Sequence, residues 1–220
     1  TFKGVIWAHG MPSIASRIDD SKFIESIQNN AQFLAFMVLT PVSIILLTTT
    51  EIWIPLVSSP EYLIITPVLG ILFFGKLLEV FRQCLNTRLI PFRRYRFYIL
   101  QALVLWITVA VVFHCFQHLG GAIALAVGFM SAHFITTVLA IVYHYRVFHH
   151  VIEVRVIKLA FASFFTLFVA VADLLFYSGD YYYVSWLILL LNLSIVLSDS
   201  GVRDALGGIL MKIKRSLLNE

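Results

Sequence analysis

Two apolar runs joined by a glycine pair limit this chain more than any other feature. Tyr98–His118 and Gly121–Tyr143 meet at Gly120-Gly121. Each is about 20 residues long, enough to cross a hydrocarbon core of about 30 Å. The pair therefore reads as a transmembrane helical hairpin, and the rest of the chain repeats the theme. Of its 220 residues, 60% are hydrophobic and 13% charged, whereas a soluble domain carries nearer about 25% charge. The fold class expected is all-α: a polytopic transmembrane helix bundle of about six spans, with amphipathic surface helices at both ends.

The spans are expected at 31–50, 62–81, 98–118, 121–143, 156–177 and 184–197. Pro41 falls inside the first, where a membrane helix tolerates a kink. Before it, Asp19, Asp20 or Ser21 can cap a helix whose apolar positions Phe23, Ile24, Ile27 and Ala31 recur at helical spacing. Residues 51–60 read as a short loop with Trp53 at its rim. Tyr181–Tyr183 and Trp186 form an interfacial aromatic cluster. After Asp199, Val202, Leu206, Ile209, Ile213 and Leu217 recur at steps of three or four, which makes an amphipathic helix suited to a membrane surface or a partner helix. The whole is one membrane domain, with an interfacial segment at 1–30, the bundle at 31–199 and the amphipathic tail at 200–220. The chain begins at Thr1, not Met, as expected of a processed product or a portion of a longer chain.

The cations sort to one side. Lys3, Arg17 and Lys22 precede the first span, and the 82–97 and 144–155 loops and the tail return to that same side. Those segments hold every other Lys and Arg except Lys76 and Lys158, which lie near the same ends of their spans. The opposite loops at 51–61, 119–121 and 178–183 contain neither residue. This is the positive-inside pattern. It puts both termini on the cytoplasmic or matrix side of a bacterial or mitochondrial inner membrane. It also explains the net charge of +4 without nucleic acid. Arg82, Arg93, Arg94, Arg96, Arg146, Lys212, Lys214 and Arg215 are candidate contacts for anionic lipid headgroups.

Charges inside spans are costly and mark candidate function. Lys76 and Glu79 are three residues apart, the spacing of a local ion pair, and the lysine can snorkel to the surface. Asp173 lies near the other end of the fifth span. These three are the candidate lining of an ion path. His114 and His118 share a helical face, as do His133 and His144. A haem between the third and fourth spans needs two histidines at one depth. His114 lies about 9 Å before the glycine turn and His133 about 19 Å after it, a poor axial pair. The expected role of the span histidines is hydrogen bonding to neighbouring helices. His144, His149, His150 and Glu153 group at the basic side, away from His118, so the two sets cannot share a di-iron centre.

Cys84 and Cys115 make no disulfide framework. No phosphate-binding glycine loop, nucleophile elbow, zincin box or Cys-x-x-Cys is present. The chain is read as non-enzymatic, without cofactor or metal. The partners expected are membrane lipids and other membrane subunits.

Four further segments resemble a bacterial inner-membrane family of unknown function, domain of unknown function five-nine-nine. They are Arg17-Ile18-Asp19-Asp20 with Phe33-Leu34-Ala35; Phe74-Gly75-Lys76 with Arg82-Gln83; Arg96-Phe97-Tyr98 with Trp106; and Tyr145-Arg146-Val147-Phe148-His149. The likeness spans about residues 16–154. It implies the order of spans and a bacterial or mitochondrial ancestry, and it carries no established activity. The family's first span is absent here, its loop before the Arg-x-Tyr segment is shortened, and the spans after 156 are additional. The function expected is that of a non-catalytic, structural subunit of a larger inner-membrane complex of respiratory type. An ion channel or transporter is the first alternative, and a haem or metal-binding oxidoreductase subunit the second.

Overall fold

The computed structural model of the chain describes residues 11–176 and Leu190. The described part is helical, and no strand occurs among these residues. After a short helical turn at 11–16, helix α1 covers Ser21–Thr48 and a short α2 covers Thr50–Val57. A 3-10 turn at Pro60–Ile65 leads into α3, Thr66–Asn86. Then come α4, Tyr95–Phe116; α5, Gly121–Phe148; and α6, Val154–Phe176. Among the described residues, five helices are long and apolar enough to cross a membrane, so the bundle is that of an integral membrane protein. The sixth expected span and the amphipathic tail lie outside the described residues.

Local chemistry explains the helix ends. Asp20 caps α1, its Oδ1 accepting from the Phe23 amide at 3.0 Å, which fills one of the free donors of the first turn. The helix then runs unbroken past residue 30 and through Pro41, so the amphipathic leader and the first span are one rod. Pro67 stands in the first turn of α3, where its missing N–H costs nothing. Gly120 takes φ 102° to turn α4 into α5, a backbone conformation that glycine adopts without strain. The expected loop at 51–60 instead contains α2. Its apolar Ile52, Leu56 and Val57 are exposed, and Trp53 Nε1 donates to the Leu46 carbonyl at 2.8 Å, which suits a helix lying in the interface.

The helices pack in the order α6, α1, α3, α5, α4, with α3 also touching α6. Phe36, Phe81 and Phe164 join α1, α3 and α6, with ring centroids 5.7 Å apart from Phe36 to each of the others. In lipid, packing depends on close approach more than on burial of apolar area. Gly128 supplies that approach: a Cβ there would lie 3.2 Å from the Val109 carbonyl oxygen on α4. Along α4 only Gln101, Leu105 and Val109 are buried. This helix is therefore the rim of the bundle, attached by one stripe to α5.

A buried polar layer at the basic end of the bundle

Hydropathy ends the spans too early on the basic side. Arg82, Gln83 and Asn86 lie within α3, and His144 lies within α5. All four are buried. Their partners come from other helices. Arg82 Nη1 and Asn86 Nδ2 donate to Gln101 Oε1 of α4 at 3.3 and 2.7 Å. Gln28 Nε2 of α1 donates to the Leu85 carbonyl at 2.8 Å. The 149–153 loop is tied down by α1, where Asn29 Oδ1 accepts from the Glu153 amide at 3.3 Å. Asn30 Oδ1 accepts from Arg155 Nη2 at 2.7 Å, and Arg155 also pairs with Glu153. The α1 N-terminal turns, the 87–94 loop and the 149–153 loop are thereby gathered at one end.

Arg88 is the centre of this layer. It is 4% exposed, and its guanidinium lies over two rings, Phe148 at 4.4 Å and Phe92 at 5.0 Å. Such contacts contribute about 0.5–2 kcal/mol. They do not fill its donors: Nε and Nη1 have no acceptor among the described residues. Burial disfavours its charged form, opposed by the Glu25 carboxylate of α1.

Beside it, α5 ends at His149 in the left-handed region, φ 52°. That geometry lets the His150 amide donate to the His144 carbonyl at 3.2 Å, a wide closure of the helix end in which the His149 amide bonds the same carbonyl. The turn brings the His150 ring to 6.4 Å from the His144 ring. Both are buried, and none of their four ring nitrogens has a hydrogen-bond partner among the described residues. His150 is pushed down to about 4, first by burial and then by the Arg88 charge, so its ring is neutral at pH 7. The expectation that span histidines are satisfied by neighbouring helices fails at His144. An unmet buried polar group costs about 1–3 kcal/mol, and a buried unpaired charge more. The layer therefore concentrates an unusual cost in one place.

The other candidates are dispersed. Lys76 and Glu79 form the expected ion pair at 2.7 Å, with the lysine side chain 61% exposed, as snorkelling requires. Asp173 lies on α6 just past Val171, which meets Gly70 of α3. Lys76 is about 9 Å further along α3 than Gly70, so Asp173 sits at a different level from the Lys76–Glu79 pair. His114 and His118 are exposed. His133 stacks on Phe129 and faces Gly75. No group of three or more metal-binding side chains gathers among the described residues. Arg93, Arg94, Arg96 and Arg146 are exposed, as headgroup contacts must be, whereas Arg82 is enclosed. Lys212, Lys214 and Arg215 lie outside the described residues. An apolar groove of about 620 Å³ opens between α3, α5 and α6, lined by Phe74, Leu78, Met130, Phe134, Ile135 and Phe164, with Ser131 beside them.

Fold and site together define a helical integral membrane protein with a buried polar layer at its basic end. Comparison with protein-family models, curated proteins and solved structures returns no match for the chain.

Proposed function

We propose that the chain is a non-catalytic integral subunit of a larger inner-membrane assembly of respiratory type, with both described basic loops facing the cytoplasm or matrix. The observation that carries this reading is α4. It touches the bundle along one stripe, while Ile99, Leu103, Trp106, Ile107 and Val111 are exposed. A rim helix of this kind offers a long face to a neighbouring transmembrane helix, and Gly128 lets α5 hold it from behind. Lipid is the second partner. The exposed arginines Arg93, Arg94, Arg96 and Arg146 suit anionic headgroups, and the apolar groove suits an acyl chain. Sizing in mild detergent followed by native mass analysis tests the reading. Co-purifying membrane subunits support it, and a lone monomer overturns it.

A channel or transporter is the second reading, favoured by the buried polar groups without partners. It predicts that Asp173, Lys76 and Glu79 border a wet path, and that Asp173→Asn changes ion flux into proteoliposomes. Unchanged flux counts against it.

A further inference from the structure

We propose that Arg88, His144 and His150 form a binding site for a phosphate-type oxyanion, carried on a lipid headgroup or free in solution. The site is independent of whether the chain has partner subunits. It stands on three observations.

The first is the set of donors without acceptors. Arg88 Nε and Nη1 are buried and unmet, and so are both nitrogens of His144 and of His150. A neutral imidazole has one N–H and one lone pair. The two guanidinium nitrogens and one N–H nitrogen from each ring thus make four donor atoms. An oxyanion is the kind of ligand that accepts from such donors.

The second is the sign of the local charge. Arg88 forms no ion pair among the described residues, and the carboxylate that acts on it, Glu25, is on α1. A cation would meet the guanidinium and find only two imidazoles, too few for a metal site. An anion supplies the missing charge. The unmet Nε–H and Nη1–H groups of the guanidinium lie on different edges, and each can donate to an anion oxygen in a charge-assisted bond. A tetrahedral group has further oxygens for donors arriving from α5 and from the 149–153 loop.

The third is how firmly the donors are held. Phe92 and Phe148 fix the plane of Arg88 through their faces and leave its edge free. The left-handed His149 and the His150-to-His144 backbone bond set the two rings side by side. Asn29 ties the loop to α1. These contacts exist before a ligand arrives, and preorganised donors lower the cost of binding. The exposed arginines Arg93, Arg94 and Arg146 on the same face would draw anions towards it.

The test uses the full chain in detergent at constant ionic strength, followed by thermal unfolding. One arm adds inorganic phosphate against chloride. The other adds phosphatidic acid against phosphatidylcholine in mixed micelles, with retained lipid counted by native mass spectrometry. The wild type is expected to gain stability in at least one arm. A response to phosphate alone identifies a free ligand, and a response to phosphatidic acid alone a lipid headgroup. Arg88→Met should weaken the response tenfold or more, while leaving the ligand-free melt unchanged or raised, because it removes an unpaired buried charge. His150→Asn should weaken it as well, and serves if Arg88→Met fails to fold. Lys158→Gln, an exposed cation on the same side, should respond like the wild type. The proposal is overturned if the wild type responds in neither arm. It is overturned equally if Arg88→Met or His150→Asn binds as tightly as the wild type, or if Lys158→Gln loses the response to the same degree.

Discussion

Gln28 Nε2 donates to the carbonyl oxygen of Leu85 at 2.8 Å, linking α1 to the C-terminal turns of α3. The bond crosses 57 positions of sequence, and both residues are fully buried. It holds the start of α1 against the segment that leads into Arg88. Gln28→Ala is expected to cost about 1 kcal/mol, since interhelical hydrogen bonds in membrane proteins are individually modest. Reversible unfolding in mixed micelles reads this. No change would mean that the α1–α3 contact is carried by Phe36 and its neighbours alone.

His149 is exposed and holds φ 52°. A side chain in that region is strained by about 1 kcal/mol, and glycine relieves the strain. His149→Gly should therefore stabilise the protein by roughly that amount, after the entropy of the freer unfolded chain is deducted. A melt that falls would show that the His149 side chain makes a contact of its own.

The acid response follows from His150. Its folded value of about 4 is below the ordinary 6.5, through burial and the neighbouring Arg88. The unfolded chain thus binds the proton more readily, and stability rises with pH wherever that is so. The contribution is fully present above pH 6.5 and declines as pH falls from 6.5 towards 4. Arg88 and the His144 ring are the titratable groups facing it, and Glu25 acts on Arg88. Melting midpoints between pH 7.5 and 5 should drop, and the drop should be smaller for His150→Gln. An equal drop in that variant would place the response elsewhere.

Gly128 permits the close approach of α5 to α4. A methyl group there meets the Val109 carbonyl oxygen at 3.2 Å, which a small shift can absorb. Gly128→Ile cannot be absorbed, and overpacking of this kind costs about 1–3 kcal/mol. Gly128→Ala is expected to melt close to the wild type and Gly128→Ile well below it. Equal melts would show that α4 is held by other contacts.

Much of this architecture was legible in the sequence. The five described spans, the Gly120 turn, the Asp20 cap and the Lys76–Glu79 pair all follow from local patterns of length, spacing and residue type. The helix ends did not. Hydropathy stops at the first cation, whereas α3 continues because Arg82 and Asn86 are bonded to Gln101 on another helix. The short α2 was hidden by Pro55 and Pro60, which read as loop markers although Ile52, Leu56 and Val57 beside them are apolar. The Arg88 cluster was illegible for a deeper reason. Its members come from two separate segments, 88–92 and 144–150, and only packing unites these. One local sign existed: Arg88 is followed by Leu89, Ile90, Pro91 and Phe92, an apolar setting unusual for a solvated basic loop.

The account depends on the basic loops lying together on one side of the membrane. Cysteines placed one at a time in a Cys115→Ser background, where the remaining Cys84 is buried, can be labelled in sealed vesicles with an impermeant reagent. Positions Arg94 and Arg146 should react from one side, and Glu61 and Leu119 from the other. Labelling of Arg94 and Arg146 from opposite sides, or of Arg94 and Glu61 from the same side, would contradict it.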